Sequence, residues 1–285
     1  MRMRLGTFSV LTADDKLPDF ALVTKIISES RGLNCEDAGR AARHAWGILG
    51  EGLNEDTAAL ILERCALYGL GAVKVPTALI PVLEPPVKIK KAVFAAENFN
   101  YADGGSLAGS ESSGNILILS AAPVKEVTTR TVTTTEGPTA QEKAVRFGIM
   151  AVTGLPLGLG KSKEVKKEIK GSEVSFCLDI VLREDRPRSP WSETAGARPA
   201  AVRRLRLGSD DFDFSCLREK KTYSSQSNFR LMCAELAAFA PRALRNAGLL
   251  ALLAGTTLAV LPYETADDLE KETLRLAILA ALRGL

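Results

Sequence analysis

The spacing of hydrophobic residues predicts a β-α-α-β-α-β order in the first 76 residues of the chain. Residues 6–11 alternate between apolar and polar positions, which is typical of a half-buried strand, whereas apolar residues at 20–27 recur at helical spacing. Gly32 ends that first helix, and Asn34 and Asn54 can cap two further helices. The two remaining predicted strands are residues 46–52 and 72–75. These elements can form a two-layer sandwich with the helices on one face of the sheet.

Five short motifs follow one another between residues 25 and 75. They are Gly32-Leu33, Glu36-Asp37-Ala38, Ile48-Leu49-Gly50-Glu51-Gly52-Leu53, Asn54-Glu55-Asp56-Thr57-Ala58 and Gly69-x-x-Ala72-Val73-Lys74-Val75. In this order the motifs resemble the C-terminal domain of the bacterial ribosomal stalk protein, over about one fifth of the chain. The resemblance implies a compact βααβαβ fold for this part.

The stretch that recruits translation factors in that family has a different composition here. The family uses Gly-Leu-x-Leu-Lys-Glu-Ala-Lys, and this chain has Gly32-Leu33-Asn34-Cys35-Glu36-Asp37-Ala38-Gly39, so both lysines are absent. The resemblance therefore implies a related fold whose binding face has changed its chemistry. By analogy with such small domains, we expect a binding or regulatory module rather than a translation-factor recruiter.

A proline-rich segment separates the first part from the rest of the chain. Residues 76–86 contain four prolines, which predict an extended linker. The predicted domains are thus 1–76, a linker at 77–86, and 87–285, with strands up to about residue 214 and helices after it. Strands followed by helices indicate an α+β class, and several strands closed by an amphipathic helix suit a pleckstrin-homology-like barrel.

The predicted elements of the second part are less regular in spacing than those of the first. Ser227 can cap a helix at 228–239, and Thr265 or Asp267 can begin a final helix that ends near Arg283. The predicted strands are residues 87–94, 116–119, 124–132, 145–152, 174–181 and 202–214.

Composition places the chain among ordinary globular proteins and excludes several kinds of site. Hydrophobic residues make up 46% and charged residues 25%, and the formal net charge of +3 is too balanced for a nucleic-acid footprint. Five widely spaced cysteines without a C-x-x-C motif argue against disulfides and zinc ribbons. His44 is the single histidine, and we interpret it as a helix-end residue rather than a catalytic base.

Two segments bear on location. Arg2 and Arg4 precede a short apolar run that polar residues interrupt, which predicts a first strand rather than a signal peptide and hence a cytoplasmic protein. Residues 247–262 carry no charge, but the run is shorter than the roughly 17–20 residues that a membrane span needs. We interpret it as a buried helix, a turn and a second buried segment.

A glycine-rich loop at residues 154–162 is the sharpest candidate for chemistry. It follows an apolar strand and precedes a Lys/Glu-rich stretch at 163–170 that favours a solvated helix, which is the context of a phosphate-binding loop. Its spacing departs from G-x-x-x-x-G-K-[ST], because Leu155 stands where the first glycine belongs. Asp179 is the candidate magnesium ligand. The candidate cofactor-binding residues are Gly158, Gly160, Lys161 and Ser162.

The other clusters favour structural roles. We interpret the three aspartates as part of a polar turn that leads into a strand. We interpret Cys216 as a buried thiol beside a basic turn, and Trp191 as part of a surface loop with flanking arginines. A short arginine cluster is the one concentrated group of basic side chains. These clusters are Asp210, Asp211 and Asp213 for the aspartates, and Arg203, Arg204 and Arg206 for the arginines.

The sequence predicts a non-catalytic binding, regulatory or adaptor protein with another protein as its partner. We expect no catalytic residue, no metal site, no cofactor and no nucleic-acid partner. Two alternatives stay open: a nucleotide-dependent enzyme that uses the loop 154–162, and a membrane-peripheral protein that binds through residues 247–262.

Overall fold

The fold is α+β, as predicted: an N-terminal β-α-α-β-α-β sheet with helices is followed by β-rich sheets and closed by C-terminal helices. The chain contains two compact units, one within residues 1–125 and 174–285 and a smaller one within residues 126–173. The computed structural model describes residues 7–105, 108–136, 163–183, 201–255 and 263–285.

The N-terminal module, residues 8–76, has the six predicted elements in the predicted order. Its central strand β1 pairs antiparallel with both β2 and β3. Asn34 and Asn54 cap their helices through side-chain oxygens that accept the N–H groups three residues on, and Gly32 ends the first helix in a left-handed conformation. The elements are β1 (Phe8–Thr12), α1 (Phe20–Arg31), α2 (Cys35–Arg43), β2 (Ile48–Leu53), α3 (Glu55–Leu67) and β3 (Ala72–Pro76).

The two faces of this sheet are buried against different partners. Val10 of β1 packs with residues of α1, α2 and α3, such as Ile26 and Ile61. The next residue, Leu11, points the other way because side chains alternate along a strand, and it joins a cluster with Leu276 of the last helix of the chain. The module is therefore covered on its second face by residues that lie far along the chain, among them Ile118, Val181 and Leu276.

The strands that follow the module form a mixed sheet and a meander. The mixed sheet has the order β13-β9-β10-β12-β5, and the meander is β6-β7-β8. The strands are β4 (Val82–Leu83), β5 (Val87–Lys88), β6 (Lys91–Phe94), β7 (Asn98–Ala102), β8 (Ala108–Ser112), β9 (Ile116–Glu136), β10 (Lys163–Leu182), β11 (Ala201–Val202), β12 (Arg204–Gly208) and β13 (Leu244–Arg245).

The pairing of these strands is partly parallel. β13 runs parallel to β9, β5 runs parallel to β12, and β4 pairs with β11 in parallel as well. β13 and β5 stand at the two edges of the five-stranded sheet, so the described pairings leave it open. The closed arrangement of a pleckstrin-homology-like barrel is not among them.

Among the residues that the structure describes, three further helices follow these strands or lie between them. Helix α4 (Ser225–Phe239) lays Phe229, Met232 and Leu236 into the largest core cluster, together with residues of the mixed sheet. Short helix α5 (Ala247–Leu253) and the final helix α6 (Ala266–Leu282) follow. Helix α4 begins at Ser225 with Ser224 as its cap, a little before the predicted start. In the described part of the chain, no helix has the length and apolarity needed to cross a membrane.

Several local predictions were wrong. Residues 163–170 belong to strand β10 rather than a helix, because pairing within a sheet overrides the helix preference of lysine and glutamate. Residues 209–214 leave the predicted strand, and a 3-10 helix covers Phe214–Lys220. The predicted linker contains a 3-10 turn at Thr77–Leu79 and strand β4. The division into domains at 1–76 and 87–285 stays a prediction.

We predict opposite stability effects for two glycine-to-alanine changes. Gly248→Ala would place Cβ 1.8 Å from the carbonyl oxygen of Ala121, so the helix α5 must shift, and we expect a loss of about 1–3 kcal/mol. Gly39→Ala lies inside α2 with no other atom closer than 4.0 Å, and we expect a gain of about 0.5–1 kcal/mol. Urea unfolding of both variants measures the difference. Equal effects would contradict the close contact at Gly248.

Candidate functional site

Some of the residues for which the sequence predicts a functional role lie outside the described residues. This holds for the candidate phosphate loop at 154–162, with Gly158, Gly160, Lys161 and Ser162, and for the loop around Trp191. Of the uncharged run at 247–262, the structure describes helix α5 and the turn that follows it, up to Gly255. Nucleotide binding by the loop therefore stays a prediction.

Asp179, the candidate magnesium ligand, is bound by two arginines. Its carboxylate is fully buried and accepts hydrogen bonds from Nη1 of Arg204 at 3.1 Å and Nε of Arg206 at 2.6 Å. Glu270 accepts a further hydrogen bond from Arg204. Burial acts to lower the pKa of Arg206, but its hydrogen bonds and its pairing with Asp179 raise it above the ordinary arginine value. The Asp179 carboxylate is thus bound by Arg204 and Arg206, which form an internal ion-pair network, whereas the third arginine of the predicted cluster, Arg203, pairs with Glu111.

The remaining sequence candidates have structural roles as well. Asp213 caps the 3-10 helix by accepting the N–H of Ser215. Cys216 lies 3.7 Å from the sulfur of Met232, and burial raises the pKa of its thiol, which favours the unreactive protonated form. No cluster of three or more potential metal ligands occurs among the residues that the structure describes.

A buried carboxylate that the sequence analysis did not single out joins the module to helix α6. Asp268 lies in the first turn of α6 and is 3% exposed. It accepts hydrogen bonds from Nε1 of Trp46 at 2.8 Å and from Nδ1 of His44 at 3.0 Å. The backbone N–H groups of Glu264 and Thr265 donate to its other oxygen. With the hydroxyl of Thr265 at 3.4 Å, five donors therefore surround one carboxylate at the point where the two parts of the chain meet.

This contact fixes the orientation of His44. An ionised carboxylate only accepts hydrogen bonds, so Nδ1 of His44 must carry a proton. Nε2 has no hydrogen-bond partner among the described residues, and the side chain is 43% exposed. The ring thus presents Nε2 as its free nitrogen. His44 does lie at the end of α2, as predicted, but it also has a defined partner.

The backbone between α2 and β2 is shaped to make these contacts. Trp46 has a positive φ of 49°, and its ring stacks on Tyr263 with centroids 4.1 Å apart. Gly47 follows with a φ of 81°, and a Cβ there would lie 2.5 Å from Cδ of Arg275. Glycine at this position therefore allows both the turn and the close approach of α6.

Arg275 provides a second polar contact between α6 and the module. It is fully buried, and its guanidinium donates to Thr12 Oγ1 and to the backbone oxygens of Asp14 and Asp15. Burial lowers the pKa of this arginine, and the nearby carboxylates of Glu272 and Asp15 act in the opposite direction. A buried guanidinium with three oxygen acceptors sets the position of α6 on the module.

A third polar group ties α6 to the mixed sheet. Glu272 is fully buried and accepts hydrogen bonds from the hydroxyl of Tyr263, the side-chain amide of Asn246 and the N–H of Ala247. Burial and then the charge of Glu272 raise the pKa of Tyr263 well above its usual value. Asn246 also bonds both backbone groups of Ala121. This network has its donors and acceptors matched, so we assign it to packing.

Beside the His44–Asp268 pair lies a cleft of about 500 Å³, which we call the module cleft. Helices α1 and α2, strand β2 and helix α6 all contribute to it, with apolar residues at its base and charged residues at its rim. The lining residues are Ile27, Arg31, Asp37, Arg40, Ala41, His44, Ala45, Ile48, Leu49, Gly50, Glu51 and Lys271.

The chemistry of the module cleft suits binding. Its described lining contains charged and apolar side chains and backbone, but no serine, threonine or cysteine that could act as a nucleophile. A larger groove of about 600 Å³ lies between β6, the 3-10 helix and α4. In that groove Lys220 is already paired with Glu235, while Arg218 and Glu219 balance each other in charge. The module cleft is therefore the better-defined candidate site.

The signal for this site was present in the sequence but hard to separate from a solvated helix. Asp268, Glu272 and Arg275 recur at helical spacing on the same side of α6 as the buried Leu276 and Leu279. Charges within an apolar stripe indicate buried polar contacts. Their partners, however, lie more than 220 residues away in the case of His44 and Trp46.

We predict that Asp268 contributes stability that is lost in acid. Burial acts to raise its pKa, but the hydrogen bonds from His44, Trp46 and the backbone lower it below the usual 3.8. A lowered pKa means that the contribution is complete above pH 3.8 and disappears as the pH falls through the folded-state value. Asp268→Asn should therefore lower the free energy of unfolding by about 1.5–3 kcal/mol at pH 7, and by less at pH 3.

Urea unfolding at both pH values, compared with the wild type, measures this effect. The matched control is Asp267→Asn, because Asp267 is an exposed neighbour in the same helical turn. We expect the control to change the stability by less than about 0.5 kcal/mol at either pH. A difference between wild type and Asp268→Asn that stays constant from pH 7 to pH 3 would show that the lowered pKa is not the cause.

Comparison of the chain with family models, with curated proteins and with solved structures gave no match. The resemblance of residues 25–75 to the ribosomal stalk domain therefore stays a hypothesis that rests on the sequence motifs. The function has to be argued from the geometry of the module cleft itself.

Proposed function

We propose that the protein is a non-catalytic binding or adaptor protein that holds a segment of a partner protein in the module cleft. The observation that carries the proposal is the composition of this cleft: an apolar base with charged side chains around it, assembled from two distant parts of the chain. Apolar contact area gives affinity in such a site, and the charged rim gives orientation and selectivity.

The walls of the cleft are held in place before any partner binds. His44 is bonded to the buried Asp268, and Nζ of Lys271 donates to the backbone oxygen of His44 at 3.2 Å. Trp46 is fixed by its hydrogen bond to Asp268 and by stacking on Tyr263. A site that is ordered in advance loses less conformational entropy on binding, which favours a functional surface.

The resemblance to the stalk domain supports the same location. In that family the recruiting stretch corresponds to residues 32–39 of this chain, and Asp37 from this stretch lines the module cleft. The flanking Arg31 and Arg40 line it too. A binding role for this helix pair is thus consistent with the motifs, although the partner need not be a translation factor.

We predict that a photo-crosslinking residue at Ala41 captures the partner and that the same residue at Ala59 does not. Ala41 is a half-exposed residue in the cleft, whereas Ala59 is an exposed residue on α3, away from it. Mass spectrometry of the crosslinked product identifies the partner, and binding of the purified partner is then measured directly. Equal capture at both positions, or none at Ala41, would contradict the proposal.

We further predict that filling the cleft weakens binding of this purified partner. Ala41→Trp should lower the affinity by about tenfold or more, because a contact worth about 1.4 kcal/mol corresponds to a factor of ten. Ala59→Trp is the matched control, with unchanged affinity. Urea unfolding of both variants confirms that the module remains folded. Unchanged binding by a folded Ala41→Trp protein would exclude the module cleft as the binding site.

A further inference from the structure

We infer that the segment bound in the module cleft is acidic, and that one of its carboxylates pairs with Nε2 of His44. This inference rests on the proposed function, since it names the partner chemistry of the same site. It starts from the surplus of cationic side chains over carboxylates at the rim of the cleft, and from the fixed orientation of the His44 ring.

Cationic side chains outnumber carboxylates at the rim, and one of the cations has no ionic partner among the described residues. Arg31 pairs with no carboxylate among the described residues, and Arg40 makes only an exposed contact with Glu36 at 3.4 Å. By contrast, Asp37 accepts a hydrogen bond of 2.8 Å from the side chain of Asn34. The second rim carboxylate, Glu51, reaches only Lys271, at 3.9 Å, so the rim carries one more cation than it carries carboxylates.

Helix α6 adds a further positive group at the opposite side of the cleft. Lys271 approaches Glu51 at 3.9 Å, which is too long for a hydrogen bond, so its ammonium group can still contact a ligand. A carboxylate between Lys271 and the cations of the module would have partners from both parts of the chain. Electrostatic complementarity thus favours a negatively charged segment.

His44 adds a ring nitrogen, Nε2, that the contact with Asp268 leaves open to a ligand. Asp268 holds Nδ1, so a proton taken up by the ring goes to Nε2, and Nε2–H can then donate to a carboxylate of the partner. The imidazolium would lie between two carboxylates, and binding would take up one proton. Histidine is the side chain that ordinarily changes its charge between pH 5 and 8. The charged groups around this ring are Arg31 on α1, Asp37 and Arg40 on α2, Glu51 on β2, and Asp268 and Lys271 on α6.

The cleft favours a protein segment over a nucleic acid. Its lining has three permanently cationic side chains against the two carboxylates of Asp37 and Glu51, which is a weak surplus for a phosphate backbone. The base of the cleft is formed by aliphatic residues such as Ile27, Ala41 and Ile48. An acidic segment with spaced apolar residues complements both features.

Selection from a library of random 12-residue peptides displayed on phage tests the inference, with the full-length protein as bait at pH 6. Enrichment of Asp/Glu-rich peptides with apolar residues, lost with an Arg31→Gln/Arg40→Gln bait, is the expected result. Enrichment of neutral or basic peptides that still require the cleft would overturn the acidic inference but not the proposed function. Failure to enrich any peptide that depends on the cleft would overturn both.

Titration of the selected peptide by fluorescence anisotropy at pH 6 and pH 8 tests the role of His44. Wild-type protein should bind about 3–10 times more tightly at pH 6, because about one proton is taken up on binding. His44→Gln should reduce this ratio to below about twofold. A ratio that His44→Gln leaves unchanged would show that the ring does not receive the carboxylate.

Two further variants separate the charge of the rim from changes in folding. Arg40→Gln should weaken binding by about twofold to fivefold at low salt and keep the dependence on pH. Arg242→Gln removes the same charge from an exposed position outside the cleft and should have no effect. A single-stranded oligonucleotide that competes with the peptide at equal concentration would contradict the preference for a protein segment.

Discussion

The hydrogen bonds of the buried Asp268 carboxylate hold the N-terminal module and helix α6 together. Removing such a charge from water costs several kcal/mol, so the arrangement is stable only because five donors surround the group. Arg275 imposes a similar condition about two turns further along α6, where three oxygens accept its N–H groups. Sliding or rotating α6 would leave a carboxylate and a guanidinium buried without partners, whereas apolar contacts alone tolerate such shifts.

The module cleft depends on this docking, since Lys271 and the orientation of His44 both come from α6. The residues that hold α6 against the module, such as His44 and Lys271, therefore also line the proposed binding site. A ligand that binds only the docked state also stabilises it, by an amount set by its concentration and affinity. Docking of α6 and binding in the cleft are in this way thermodynamically linked. His44 contacts Asp268 of α6 through Nδ1, whereas the proposed contact with the ligand is made through Nε2.

Local signals were enough to predict the module, and they failed where pairing between distant residues decides the structure. The side chains of Asn34 and Asn54 each accept the backbone N–H three residues further on. Because this contact is local, both helix starts could be predicted from the sequence. The Lys/Glu-rich residues 163–170 resemble a helix locally, but they lie in strand β10, which pairs with its neighbours in the sheet. The sequence analysis missed the candidate site for the same reason, because His44 and Asp268 are 224 residues apart.

The positive charge at the module cleft comes from other positions than in the stalk family. Both lysines of the family stretch are absent at residues 32–39, yet Arg31 and Arg40 stand directly beside that stretch. Lys271 adds a third cation from α6, and Lys271 contacts the module only when the helix is docked. If the cleft binds an acidic segment, its affinity must then depend on α6, which an isolated stalk domain does not have. The proposed binding face therefore requires the module and helix α6 together rather than the module alone.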